Sequence, residues 1–305
     1  MRAFGAGEDG STMDRSFTLE GTNKKGVLLI HGLTGTPLEM MFLAKRLNKY
    51  GFTIEAPQLA GHCQDEDALL ATGWRDWIQS LRDAHDKLAA RVDEVYVAGI
   101  CAGGALGIAL AAERPQIAGA AVYSMTFEYD GWNMPKWYRL APLMWLGKVL
   151  PFLQKLRFGD KHPYGIKDKR LRERFEAAPE AVLNGSLPAM PLGALQEMYR
   201  LCKHVERVAH KVEQPTLIAH AIEDDLSNVR NAHRLEKGLS GPVKMLLLND
   251  SYHMIHIDRE RNLVADETAR FFGAEREMAA VSAATRKVCA VEAPATPSPQ
   301  TASIA

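Results

Sequence analysis

Residues 95–110, VYVAGICAGGALGIAL, place one cysteine at the apex of a glycine-flanked turn. Val95-Tyr96-Val97 is a β-branched and aromatic run, and Gly104 to Leu110 is small and apolar, so Cys101 sits where a strand turns sharply into a helix. Such a turn presents one side chain clear of its neighbours. The backbone N–H groups at the helix start point at a developing oxyanion, and the helix dipole favours negative charge there. Gly99 and Gly103 suit a turn that leaves no room for side chains. The chemistry is nucleophilic attack by a thiol, whose thiolate a helix N-terminus also favours. The competing reading makes Cys101 a small buried apolar residue, a common role for free cysteine.

Three other stretches complete that chemistry. His31-Gly32-Leu33-Thr34-Gly35 follows the apolar run VLLI, and a tight turn there supplies a second oxyanion donor, the N–H of Leu33 beside that of Ala102. His220-Ala221-Ile222-Glu223-Asp224-Asp225 follows PTLI, where a carboxylate just past a strand end can orient a histidine. Asp224 is the choice and Asp225 the alternative, and either could instead cap a helix starting near Asn228. The polar loop from Asn249 to Asp258 holds His253 in the loop proper, with His256 falling toward the next helix in a structural role. His253 would take the thiol proton, and Asp224 would hold its tautomer and stabilise the imidazolium.

These residues need a scaffold, and the chain supplies one. Short apolar runs at 27–30, 52–57, 95–100, 118–124, 215–221 and 243–249 alternate with helix-patterned stretches such as GWRDWIQSLRDAHDKLAARV. That alternation predicts an α/β fold, a mostly parallel sheet with helices on both faces. From 125 to 210 no convincing strand interrupts a run rich in large apolar residues, among them Phe127, Trp132, Trp137, Trp145 and Phe158. This segment is expected to be a helical cap over the sheet's carboxyl edge. The expected organisation is an N-terminal tail and lead-in at 1–23, a core at 24–124 and 211–273, the cap at 125–210, and a disordered tail at 274–305.

The sequence resembles the α/β-hydrolase superfamily, particularly bacterial carboxylesterases and the monoacylglycerol-lipase-like group. VLLIHGLTGTP, APQLAGHC, VYVAGICAGG, HAIEDD and YHMIHID carry the likeness, over about residues 24–273. The resemblance implies a nucleophile at Cys101, an acid at Asp224, a histidine at His253 and oxyanion amides at Leu33 and Ala102. Two departures stand out. Gly61-His62-Cys63 replaces the usual G-H-G of a loop-shaping segment, and cysteine replaces serine as the nucleophile.

A thiolate leaves more readily than an alkoxide, so its attack on an ordinary ester tends to revert. Thioesters and activated lactones or enol esters escape that problem. The expected activity is therefore a cysteine-dependent acyl hydrolase acting on an apolar ester or thioester. An acyltransferase on the same triad and a non-catalytic binding protein are the alternatives.

The 37 Lys and Arg balance 37 Asp and Glu, so no global pull toward nucleic acid is expected. Residues 131–175 nevertheless hold eleven basic residues (Lys136, Arg139, Lys148, Lys155, Arg157, Lys161, Lys167, Lys169, Arg170, Arg172, Arg174) against three acidic ones (Asp160, Asp168, Glu173). That excess suits an acidic carrier protein, coenzyme A or anionic lipid, or is a solvated helix face. Cys63, Cys101, Cys202 and Cys289 are widely spaced, so no disulfide framework, zinc site or other cofactor is expected. With no secretion signal and no apolar run of roughly 18 to 20 residues, a cytoplasmic location without a transmembrane segment is the expectation.

Overall fold

The computed structural model describes residues 14–135, 154–159, 162–177, 187 and 189–274. A seven-stranded sheet organises them. Its strands are β1 (Phe17–Leu19), β2 (Lys25–Ile30), β3 (Thr53–Ala56), β4 (Glu94–Ile100), β5 (Gly119–Tyr123), β8 (Thr216–Ala221) and β9 (Val243–Leu248), in the spatial order β1-β3-β2-β4-β5-β8-β9. Only β1 runs antiparallel, pairing Phe17 with Ala56 at one edge. The six apolar runs of the sequence became the six parallel strands, and the α/β-hydrolase fold expected from them is the one observed.

The central strands are buried along most of their length: Val27 to Ile30 and Leu217 to Ala219 have no exposure. Strands covered on both faces read as continuous apolar runs rather than alternating ones. Helices α1 (Met41–Asn48), α3 (Trp74–Ala89), α4 (Ala102–Glu113), α7 (Arg230–Gly238) and α8 (Arg261–Phe271) provide the cover, with α2 (Glu66–Leu70) a single extra turn. The sheet grows outward from β2 and β4 in opposite directions. Their carboxyl ends therefore border the crevice in which open α/β sheets bind ligands.

Two expectations need amending. Residues 17–19 lie within the expected tail yet form an edge strand, because Thr18 and its neighbours find free backbone groups on β3. The segment from 125 to 210 does contain strands: β6 (Arg157–Gly159) and β7 (Ala189–Pro191) pair as an antiparallel ribbon. Three residues each are too few to leave a periodic signal. The segment also holds α5 (Lys169–Ala177) and α6 (Leu192–Val208). Helix α6 packs against α3 and α4 and buries Met198, Leu201 and Val205. We propose that the cap ends near residue 191 and that α6 belongs to the core. Trp137, Trp145, Cys289 and the tail from 275 onward lie outside the described residues, as do Lys136, Arg139, Lys148, Asp160 and Lys161. No helix among the described residues is long and apolar enough to cross a membrane.

The turn between β4 and α4 is set by contact between main chains. A Cβ on Gly103 would come within 2.3 Å of the Ile30 carbonyl oxygen, and one on Gly99 within 2.4 Å of the Gly103 carbonyl carbon. Backbone cannot yield as a flexible side chain can. Gly103→Ala is therefore expected to cost about 3 kcal/mol or more, measured as a lower urea midpoint. An unchanged midpoint would contradict the close approach.

Candidate active site

Cys101, Asp224 and His253 follow β4, β8 and β9, so parallel strands deliver all three to one edge of the sheet. Cys101 occupies the elbow at φ 51° and ψ −112°, a conformation that costs a non-glycine residue about 1–3 kcal/mol. Its N–H donates to Tyr123 O at 2.9 Å, which ties the apex to β5. The side chain is 7 % exposed, so it opens onto the cleft without being free in solvent.

His253 Nδ1 lies 2.8 Å from Asp224 Oδ2 and 3.1 Å from Oδ1, and its ring also hydrogen-bonds Cys101. Burial disfavours charge on the imidazole. The negative charge of Asp224, its hydrogen bond and the contact with Cys101 outweigh burial, and hold the His253 pKa well above the usual imidazole range. Asp224 faces the same contest. Burial raises its pKa, while the charge of His253 and the hydrogen bonds it accepts prevail and keep it below the ordinary aspartate value. Its Oδ1 accepts from the N–H groups of Leu226 and Ser227, both at 2.8 Å. Asp224 thus caps its own turn, not the next helix: α7 starts at Arg230 and has no side-chain cap.

Asp225, the alternative acid, does different work. Its Oδ1 accepts from the His253 N–H at 3.3 Å and its Oδ2 from the Gly165 N–H at 3.0 Å. Burial raises its pKa. It holds the backbone of the histidine loop and of the turn at Gly165 while leaving the ring to Asp224. His256 is buried, and burial pulls its pKa down to about 3, which fits the structural role expected of it.

The amides of Leu33 and Ala102 have no hydrogen-bond acceptor among the described residues, as a site for an anionic oxygen requires. Two side chains hold the 32–36 loop. His62 Nε2 lies 2.7 Å from Leu33 O, so the Gly61-His62-Cys63 segment does shape a loop, and the loop it shapes is this one. Glu39 Oε1 accepts from the Gly32 N–H at 2.6 Å, and its carboxyl also bonds the Thr36 backbone. Burial pushes Glu39 up to about 7 against those two bonds. Burial likewise lowers His31 to about 3 and lifts the Cys63 thiol to about 12, so neither competes for the proton on His253.

Above the elbow lies a cleft of about 790 Å³, mouth included, lined by Cys101, His253 and Leu33 with mainly apolar walls from Ile100, Ile166, Leu187, Met190 and Met254. Phe127, Trp132 and Phe158 do not line it. Trp132 is exposed, with its indole N–H on Glu223 O at 2.9 Å. Three described cations of the basic segment face core acids: Lys155 pairs with Asp67, Arg157 with Glu66, and Lys167 with Glu223 and Asp250, whereas Lys169 pairs with Glu173 of its own helix. The core beneath thus meets part of the local excess.

Sequence reasoning missed three anchors. Ser124 Oγ donates to His253 O at 2.6 Å. Asp258 accepts from the N–H groups of Tyr252, Lys167 and Asp168, between 2.8 and 2.9 Å. Glu39 is the third, and its only trace in the sequence is one charge in the apolar stretch PLEMMFLA.

A family model described as "Serine aminopeptidase, S33" (Hydrolase_4) matches residues 21–260. A thermostable monoacylglycerol lipase of Bacillus sp. (strain H-257) is 27 % identical over 81 % of this chain and 90 % of its own. A carboxylesterase of Bacillus subtilis (strain 168) is 25 % identical over 84 % of this chain and 95 % of its own. Among solved structures, a metagenome-derived lipolytic enzyme matches with a TM-score of 0.70 at 24 % identity, over 84 % of this chain and 96 % of that one. A monoacylglycerol lipase from Paleococcus ferrophilus matches at 0.68 and 18 %, over 88 % and 99 %. Both structural likenesses concern the fold.

Glu39 gives a pH-dependent expectation. Its pKa is higher folded than unfolded, so the folded state retains this proton, and stability falls as pH rises from the unfolded value of 4.5 through about 7. Glu39→Gln keeps an acceptor for Gly32 and removes the penalty. The variant is expected to gain about 2 to 3 kcal/mol relative to the parent at pH 8, and little at pH 4.5, by urea titration. A pH-independent difference would refute the assignment.

Proposed function

Since the chain belongs to the Hydrolase_4 family (serine aminopeptidase, S33) of α/β-hydrolases, we propose that it is a cysteine-dependent acyl hydrolase of the esterase and thioesterase type, with Cys101 as nucleophile, His253 as base, Asp224 as its orienting acid, and Leu33 and Ala102 as oxyanion donors. The observation that carries this reading is His253 held between Asp224 at 2.8 Å and the thiol of Cys101 on a strained elbow. The lipase and carboxylesterase relatives support an ester-type substrate, and the apolar cleft suits an apolar acyl group.

In this mechanism Cys101 Sγ attacks the acyl carbon and its proton resides on His253. The carbonyl oxygen becomes an oxyanion on the two amides. Collapse expels the leaving group, which takes the proton from His253. Water then attacks the acyl-cysteine thioester, gives its proton to His253 and releases the acid, restoring the thiol. The raised pKa of His253 favours the protonated imidazole that the first step needs. Expulsion is productive only when the leaving group competes with the cysteine thiolate, so thioesters and aryl or enol esters are the preferred substrates and alkyl esters poor ones.

Two measurements test this. Brief mixing with acyl thioesters and aryl esters, followed by intact-protein mass spectrometry, is expected to give an acyl adduct that decays to free acid and is missing in Cys101→Ala. An adduct that persists until an alcohol or amine is added would make the protein an acyltransferase, and no adduct from any donor would refute covalent catalysis. Asp224→Asn is expected to lower kcat/KM by about 10³ to 10⁴, because the ring loses its tautomer and its counter-charge. Asp225→Asn retains the ring's partner and is expected to cost far less. Equal losses would overturn the division of labour between the two aspartates.

A further inference from the structure

Among the described residues, the wall of the cleft is apolar apart from Cys101, His253, two tyrosines, Thr34 and one carboxyl, that of Glu39. This side chain is half-buried, and it lines the same cleft as Cys101 and His253. It is seated against the loop that carries the Leu33 amide: a Cβ on Gly35 would come within 2.1 Å of Glu39 Oε2, and one on Gly32 within 3.5 Å of Oε1. Two backbone donors reach it, from Gly32 and Thr36. A carboxylate offers about four acceptor positions, so two backbone donors leave this one with acceptor capacity toward the cleft.

Building on the reading of Cys101 as an acyl carrier, we propose that Glu39 is a specificity-determining residue that accepts a hydrogen bond from the substrate, which selects acyl groups bearing a hydroxyl or ammonium donor over plain acyl chains. The apolar walls take the hydrocarbon of the acyl chain, and Glu39 takes its one donor beside the oxyanion loop. A substrate that lacks the donor leaves the carboxyl short of a partner when it displaces water from the cleft. That penalty, more than any gain from the new bond, produces the discrimination.

The test compares aryl thioesters of one chain length: the plain acyl, its 2- and 3-hydroxy and 2- and 3-amino forms, and the methoxy ethers, which match the hydroxy forms but cannot donate. The expected result is a preference of about 10- to 100-fold in kcat/KM for at least one donor-bearing acyl group over its ether or plain counterpart. The hydroxy and amino arms distinguish the two donors. The ratio is expected to fall toward unity in Glu39→Leu and to survive in part in Glu39→Gln, which keeps an acceptor oxygen. A loop strap alone would lower all substrates equally and leave the ratio unchanged. That result overturns the inference, as does a parent enzyme without preference, a readout that needs no variant to fold. If plain thioesters acylate Cys101 and no preference exists, the inference fails while the proposed function stands. If no thioester of the panel acylates Cys101, both fail.

Discussion

The contact between Asp224 and His253 is the interaction on which the site turns. Both groups are almost wholly buried, and two ionised groups so placed are tolerable only when each satisfies the other and the remaining lone pairs are met. Asp224 meets that condition through the amides of Leu226 and Ser227, and the neighbouring His220 closes over it at 3.4 Å. Burial lowers the pKa of His220, so it adds a neutral polar wall without a competing charge. The proton of the pair then has one place to reside, the ring that faces Cys101.

A buried pair of this kind must be held to within a few tenths of an ångström, and loops alone do not do that. Strand ends bring the two residues near each other, and side-chain bonds to the main chain finish the placement. Ser124 grips the His253 carbonyl, Asp225 its N–H, and Asp258 the N–H of Tyr252 just before it. Asp225 and Asp258 also bind Gly165, Lys167 and Asp168 of the cap. The geometry of the histidine and the seating of residues 165–168 thus depend on the same two carboxylates.

The fold was legible because buried parallel strands are continuous apolar runs, and a run such as VYVAGI has few other destinations. The candidate site could be read wherever a local pattern marks it: glycines beside Cys101, a turn after VLLI, an acid after PTLI. What escaped notice obeys no local rule. Three-residue strands such as Arg157–Gly159 pair only because a distant segment offers free backbone groups. Asp258 and Ser124 act through partners 90 and 129 positions away. Glu39 reads as one helix charge among others until the loop folds over it. The choice between Asp224 and Asp225 was of the same kind, since adjacent carboxylates become different only when a ring approaches one of them.

The thiol sharpens what the cleft must do. In an enzyme with a serine nucleophile the tetrahedral intermediate favours loss of an alkoxide comparable with its own nucleophile, and a broad range of esters reacts. A cysteine nucleophile returns to its resting state unless the substrate's leaving group departs more easily, so leaving-group chemistry narrows the substrates before the pocket does. The pocket then selects among acyl groups. An apolar wall discriminates weakly, by about 1–3 kcal/mol per methylene, whereas a polar group built to bond a substrate donor can reject a chain that lacks one. Here the Glu39 carboxyl is seated against the 32–36 loop, where the backbone of Gly32 and Thr36 holds it and Leu33 lies between them. Because the Glu39 carboxyl bonds the backbone on both sides of Leu33, a movement of this one side chain would be felt along the 32–36 loop that borders Cys101.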